Sequence, residues 1–244
     1  LFKRLISAAL AGIFIAGCGG GKGVSDTLFT LSAGKTWTYR FSGNVELPPG
    51  LGGGIISANS NASTLQFVVT KSVGNDLDGN PVDALDRNFS ITLADGRVIT
   101  GKLRLYVSQN ETGIFVHGVD ARTTGDFVPA DAKFVPGTVT PAFRFAWLPN
   151  PALDGQTIQY TNPLNLSGTG DHSYKVELGV GRTEVNVPAG TFLAKGSSLT
   201  EAFSSFTLTN AAFVPDRGFM NGLLTVTLPN GAKLNGVIVL TGTN

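Results

Sequence analysis

From Leu28 to the C-terminus the chain is written in alternation, and this limits its fold more than any other feature. Runs rich in Val, Thr, Ile, Phe and Leu switch between apolar and polar at a period of two, and the 3.6-residue period of a helix is almost missing. Gly, Asn, Asp and Pro interrupt these runs where turns belong. The pattern predicts an all-β domain, a mainly antiparallel curved sheet that forms a partly closed barrel or a sandwich. Gly supplies 32 of 244 residues, nearly double the usual share of about 7%. Charged residues make up 14%, against roughly 25% in ordinary soluble domains. This is a turn-rich neutral domain and not a charged disordered tail.

Several strands stand out. Thr36 to Phe41 alternates cleanly, with Trp37, Tyr39 and Phe41 on one face and Thr36, Thr38 and Arg40 on the other. Leu65 to Lys71 reads as a second strand. Leu47–Ala62, with Pro48-Pro49 and a Gly-rich run, reads as a loop, and Asn75–Asp86 reads as a polar connection. One hairpin pairs Phe89–Leu93 with Arg97–Val107 across Ala94-Asp95-Gly96. Another pairs Leu223–Leu228 with Ala232–Leu240 across Pro229-Asn230-Gly231. In the first, Leu103, Leu105 and Val107 oppose Lys102 and Arg104, which predicts one wet face. Val237 to Leu240 is apolar throughout, which predicts burial on both faces.

At an offset of 135 in sequence, Thr92, Leu93, Gly96, Gly101 and Leu105 match Thr227, Leu228, Gly231, Gly236 and Leu240. The same offset lays Tyr39-Arg40-Phe41 on Tyr174-Lys175-Val176. Two halves, 28–125 and 142–244, would then be joined by a Pro-rich segment, with Pro129, Pro136 and Pro141 between them and Pro149 and Pro151 just inside the second half. Shared hairpin vocabulary accounts for the same matches, and both readings stay open.

At the other end, Lys3-Arg4 precedes an apolar run from Leu5 to Ile15 that closes in Ile15-Ala16-Gly17-Cys18. Basic residues, a short apolar core and small residues before a break are the parts of a secretory signal. The run is shorter than the roughly 20 residues that span a bilayer. Ile15-Ala16-Gly17-Cys18 resembles the lipobox of bacterial lipoproteins. The resemblance implies a helical signal over 1–17, cleavage before Cys18, a diacylglycerol on its sulfur and an acyl chain on its amine. Residues 18–27 would be the lipidated tether and 28–244 the β domain. Gly19, in place of Asp, resembles the outer-membrane sorting pattern. Two acyl chains hold a protein stably on a membrane where one does not. Losing Lys3 and Arg4 from 18 basic residues leaves 16 against 17 acidic ones, a net charge of −1. That balance, with no recognised module, excludes a nucleic-acid partner.

Val187-Pro188-Ala189-Gly190-Thr191-Phe192 is similar to a string in bacterial envelope proteins of an uncharacterised class. Those resemble this chain also in an early Trp-x-Tyr, here Trp37 and Tyr39, and in a later aromatic-Pro-x-x-Gly stretch, here Phe213 to Gly218. The resemblance implies an antiparallel envelope β domain and brings no catalytic residue; Thr70 to Leu166 has no counterpart in it.

The residues offer little chemistry. His117 falls in an expected strand, Ile114 to Val119, and His172 in an expected polar turn beside Asp171. No Gly-x-Ser-x-Gly elbow accompanies them, and two isolated histidines lack zinc spacing. Asn75-Asp76-Leu77-Asp78-Gly79-Asn80, followed by Asp83 and Asp86, is dense enough in hard oxygens for calcium. Pro81 stands where an EF-hand needs Gly, and a turn needs the same residues for backbone reasons; no metal or cofactor is assigned. The expectation is a non-enzymatic protein.

Trp37, Tyr39 and Phe41 form one aromatic stripe, and Phe143, Phe145 and Trp147 form another at the same period. Lining a cavity, they would hold an apolar small molecule; touching one another, they are core. The expected function is a membrane-anchored envelope lipoprotein with a binding or structural β domain. The alternative is a surface module that contacts protein or glycan through Leu47–Ala62 and Asn75–Asp86.

Overall fold

The computed structural model describes residues 31–75, 79–125, 145–149, 155, 157–165, 171–203, 206–214, 217–228 and 231–244. Residues 1–30, with Cys18 and the tether, lie outside them, as does Phe143. The strands are β1 (Thr36–Leu47), β2 (Gly54–Ser57), β3 (Thr64–Asn75), β4 (Pro81–Thr92), β5 (Val98–Asn110), β6 (Gly113–Gly125), β7 (Phe145–Pro149), β8 (Thr157–Asn165), β9 (Asp171–Val187), β10 (Gly190–Phe203), β11 (Phe206–Val214), β12 (Gly218–Thr227) and β13 (Lys233–Thr243). The one helical element among the described residues is a 3-10 turn, Pro49–Leu51.

These strands form a single 13-stranded sheet in the order β7-β6-β5-β4-β3-β1-β13-β12-β11-β10-β9-β8, with β2 off this path on β1. Every pairing is antiparallel. The sheet curls into a half-barrel, and no sandwich forms. Two meanders, β3 to β7 and β8 to β13, meet at β1 and β13, the first and last strands among the described residues.

Alternation does its expected work on β1, where Trp37, Tyr39 and Phe41 show no exposure at all. Leu65, Phe67 and Val69 of β3, Leu103, Leu105 and Val107 of β5, and Leu234, Ile238 and Leu240 of β13 join them in one core. Burying each such side chain contributes about 1.5–3 kcal/mol. The opposite face of these strands is polar, with Arg40, Gln66, Asn88, Lys102 and Arg104 among its residues. A membrane barrel carries the reverse arrangement, apolar outside.

Close approach at the β1–β13 seam depends on glycine. Gly43 faces Gly236 across the ladder. A Cβ on Gly236 would lie 2.5 Å from Cζ of Phe41, whose ring covers the gap, and a Cβ on Gly43 would meet the Asn235 carbonyl.

Both predicted hairpins form. In the first, the Leu93 N–H bonds the Arg97 carbonyl at 2.8 Å; in the second, the Leu228 N–H bonds the Ala232 carbonyl at 2.8 Å. Gly96 at φ 88° and Gly231 at φ 84° supply the left-handed turn residue. The Pro188-Ala189 turn likewise joins β9 to β10.

Several expectations are corrected. The Leu47–Ala62 segment is not all loop, because Gly54–Ser57 pairs with the far end of β1 despite its glycines. The Asn75–Asp86 connection is short, because β4 begins at Pro81 and takes Asp83 and Asp86 into the sheet. Val237 is 40% exposed, so β13 has one wet face and not two buried ones. His172 is not in a turn: it pairs with Leu164 near the start of β9. The hairpins related by an offset of 135 are also placed differently. One strand, β3, separates β1 from β4, but two strands, β10 and β11, separate β9 from β12.

Candidate functional site

Among the described residues, the half-barrel interior contains a charge that its pattern does not call for. On β4, Leu85, Arg87, Phe89 and Ile91 share a face, so alternation turns Arg87 inward, where it is 1% exposed. Its guanidinium stands 5.2 Å from the ring centroid of Phe67 on β3 and 5.9 Å from that of Phe219 on β12. Phe67 in turn packs on Tyr39 at 4.8 Å and on Phe219 at 6.0 Å, while Phe219 meets Phe213 edge-on at 4.6 Å. A guanidinium keeps its charge in any such setting, and flat aromatic faces are its best apolar neighbours.

Tyr39 is the second polar group of this centre. Its ring is fully buried, and its hydroxyl has no hydrogen-bond partner. Burial drives the phenol's pKa well above its ordinary value, with the positive charge of Arg87 pulling the other way. The phenol therefore stays protonated and offers one O–H donor inside the barrel.

An arm lies across the end of the barrel where β1 starts. β8 pairs with β9 only as far as Gly179, and the Gly155 N–H then bonds the Val180 carbonyl at 2.8 Å. β10 joins β11 only from Gly196 onward. Residues 181–195 are thus a two-stranded arm, rooted at Gly179, Gly181 and Gly196 with bulges on both sides of Gly196. Its own Val185 and Ala194 are buried, and Val187, Ala189 and Phe192 pack against the core. At its tip the Ala189 N–H bonds the Leu240 carbonyl at 3.3 Å. Leu240 is the register partner of Tyr39, and lies beyond Val239, where β12 stops pairing with β13. Arg217 sits 5.1 Å over the Phe192 ring and holds the arm from outside.

The aromatic stripes fare unequally. Trp37, Tyr39 and Phe41 are packed as core rings, since a cavity wall would leave part of each accessible. Phe145 and Trp147 lie on β7, where Phe145 pairs with Val116; the structure describes their backbone alone.

The carboxylates of the expected calcium loop are already engaged. Asp83 takes Lys71 Nζ at 2.6 Å and the Ser72 N–H at 3.1 Å. Asp86 holds Arg104 through two bonds, 2.6 and 2.8 Å, and Lys102 at 2.8 Å. Burial raises the pKa of Asp86, but the hydrogen bonds from Arg104 and Lys102 outweigh it and hold the carboxyl below the usual range. Asp76 and Asp78 lie outside the described residues. His117, 1% exposed at a bulge in β6, has its Nε2 2.8 Å from Oγ of Ser108.

Arg87 escaped the reading of the sequence, although a signal was present. It is a charge at the apolar parity of an alternating run, between Leu85 and Phe89.

The two segments expected to contact protein or glycan, Leu47–Ala62 and Asn75–Asp86, lie at opposite ends of the sheet. β3 runs past the Thr36 end of β1 toward Asn75, whereas β2 sits on the Leu47 end. The Leu47–Ala62 segment does expose apolar side chains, with Ile55 70% and Leu51 37% accessible. The chain enters at the Thr36 end, where Leu31 donates its N–H to Oε1 of Gln109 at 2.9 Å and its carbonyl accepts from Lys71 Nζ at 3.2 Å.

Compared with known protein families, with curated proteins and with solved structures, the chain matches none of them.

Proposed function

We propose that this chain is a lipid-anchored bacterial envelope protein whose β domain is a non-catalytic binding module for an apolar or amphiphilic molecule. The observation that carries the binding reading is the Tyr39 hydroxyl, buried without a partner in an aromatic interior that also holds Arg87. A buried donor left unsatisfied costs about 1–3 kcal/mol, and a site that receives an acceptor from outside accounts for that cost. Anchoring rests on Lys3-Arg4, the apolar run and Ile15-Ala16-Gly17-Cys18. The test of binding is native mass spectrometry on residues 19–244 exported to a bacterial periplasm behind a cleavable leader. Co-purifying apolar mass that solvent extraction removes is the expected result; a bare protein mass after exposure to envelope lipids counts against binding. Anchoring is tested by labelling cells with a radioactive fatty acid, which Cys18→Ser should abolish.

A second reading has its own support in Ile55 and Leu51, exposed at the end of the sheet remote from Leu31. A partner protein would meet this tip away from the membrane. A photo-crosslinker at position 55 should then capture one protein in cells, and the same group at Thr241 should not.

A further inference from the structure

We infer that the tip formed by residues 47–56 seats in the interfacial region of a phospholipid bilayer, with Leu51 and Ile55 as the inserted side chains. This site is separate from the aromatic interior of the binding reading, and it takes lipid where the second reading has a protein.

The side chains of the tip are the first support. Leu47-Pro48-Pro49-Gly50-Leu51-Gly52-Gly53-Gly54-Ile55-Ile56 contains no polar or charged side chain. Exposed turns ordinarily mix Gly and Pro with Asn, Asp and Ser; here Leu and Ile take those places. Both ends of the segment are fixed, since Leu47 is buried in the core, Ile56 packs against it, and β2 pairs with β1 from Gly54 to Ser57. Between them the crown stands clear. A Cβ on Gly50, Gly52, Gly53 or Gly54 would meet nothing within 4 Å. Ile55, at 70%, is the most exposed large apolar side chain among the described residues.

The backbone is the second support. A segment that enters lipid must bring its hydrogen bonds with it. Pro48 and Pro49 have no N–H to satisfy. The N–H groups of Leu51 and Gly53 reach the Pro48 carbonyl at 2.9 and 3.2 Å, and that of Gly52 reaches the Pro49 carbonyl at 3.1 Å. The crown is a 3-10 turn closed on itself, and Gly52 at φ 91° ends it in a conformation that suits glycine.

The surrounding charges are matched within the fold. Glu46, beside Ile55 in the ladder, stands opposite Lys233 on its other side. In the neighbouring turn, whose Ala94 N–H bonds the Ser57 carbonyl, Arg97 is bridged to Asp95 at 2.5 Å. Protein partners are usually met by Trp, Tyr and Arg anchors and by direct hydrogen bonds. This tip has none of those side chains and spends its N–H groups on itself. A bilayer interface rewards buried apolar area alone, and that is what the tip presents.

The test uses the full chain, exported in a bacterium, with a diazirine-bearing residue at position 51, 55 or 241 in turn. Cells are irradiated, and adducts on the purified protein are identified by mass. Positions 51 and 55 should acquire phospholipid. Position 241, at the end where the chain enters, reports chance contact with the membrane that holds the N-terminus and should acquire far less. Ile55→Ser should cut the phospholipid adduct at position 51 about tenfold and leave the thermal midpoint in place, because position 55 is exposed. A protein adduct at 51 and 55 in place of phospholipid overturns the inference in favour of the second reading. Equal phospholipid yield at 241, an adduct undiminished by Ile55→Ser, or no adduct at any position overturns it as well. Each of these leaves the interior binding reading standing.

Discussion

The guanidinium of Arg87 stands 5.9 Å from the ring of Phe219, although four steps along the sheet separate their strands β4 and β12. At about 4.8 Å per strand a flat sheet would hold them about three times farther apart. The contact exists because the sheet curls until its buried face meets itself. Arg87 is thus part of the closure of the interior, and its long stem and planar head suit that span.

This contact is expected to be measurable as coupling. Arg87→Ala should cost about 3 kcal/mol in urea unfolding, through lost packing and lost cation–π contact. Combined with Phe219→Leu, a double-mutant cycle should give about 1 kcal/mol of interaction. Strict additivity of the two changes would show that the cation and the ring do not stabilise each other.

The seam predicts a contrast between two glycines. Gly236→Ala sets a Cβ 2.5–2.6 Å from the Phe41 ring and the Ser42 carbonyl, and should destabilise by about 1–3 kcal/mol. Gly50→Ala meets nothing within 4 Å and should stay within about 0.5 kcal/mol of the parent. Thermal unfolding of both variants checks the pair, and equal midpoints would contradict the account of the seam.

Acid should weaken the outer face through Asp86. Its folded pKa lies below the ordinary value, so its contribution is present above the unfolded pKa near 4 and disappears as pH falls through the folded one. Asp86→Asn, which leaves Arg104 and Lys102 without their carboxylate, should lower stability at pH 7 by about 1–2 kcal/mol. It should also flatten the fall in stability below pH 4. A variant with the same acid profile as the parent would assign that fall to other carboxylates.

Calcium should leave the thermal midpoint where it is. Both oxygens of Asp83 are taken, by Lys71 Nζ and the Ser72 N–H, and both of Asp86 are taken by Arg104 and Lys102. A cation would have to displace these donors. An upward shift with calcium that chelation reverses would show that it does so.

How much of this was legible follows from where each interaction lives. Face assignments are local, so Trp37, Tyr39 and Phe41 were placed correctly by alternation, and Asp95-Gly96 and Asn230-Gly231 marked their turns through backbone freedom alone. β2 was lost because Gly54–Ser57 has weak strand propensity and is held by its partner on β1. Asp83 and Asp86 looked like loop residues because composition masked strand parity. The Tyr39–Arg87 centre needed the curl, which brings together residues from strands far apart in sequence. The arm was out of reach because its freedom depends on where β8 and β11 stop pairing, and no local pattern records that.

The bond between Thr36 and Asn244 fixes an order of events. The Thr36 N–H donates to the Asn244 side chain at 2.6 Å and its carbonyl accepts the Asn244 N–H at 3.1 Å, across 208 residues of chain. On a ribosome, or emerging from a translocon, β1 appears first and its partner β13 last. Until then one edge of β1, with three large aromatics on its face, has nothing to pair with, which is the situation in which strands associate wrongly. Such remote pairing also makes for slow folding. A protein joined in this way gains little from folding as it is made, and its nascent chain is a natural client for a holding chaperone until β13 has emerged.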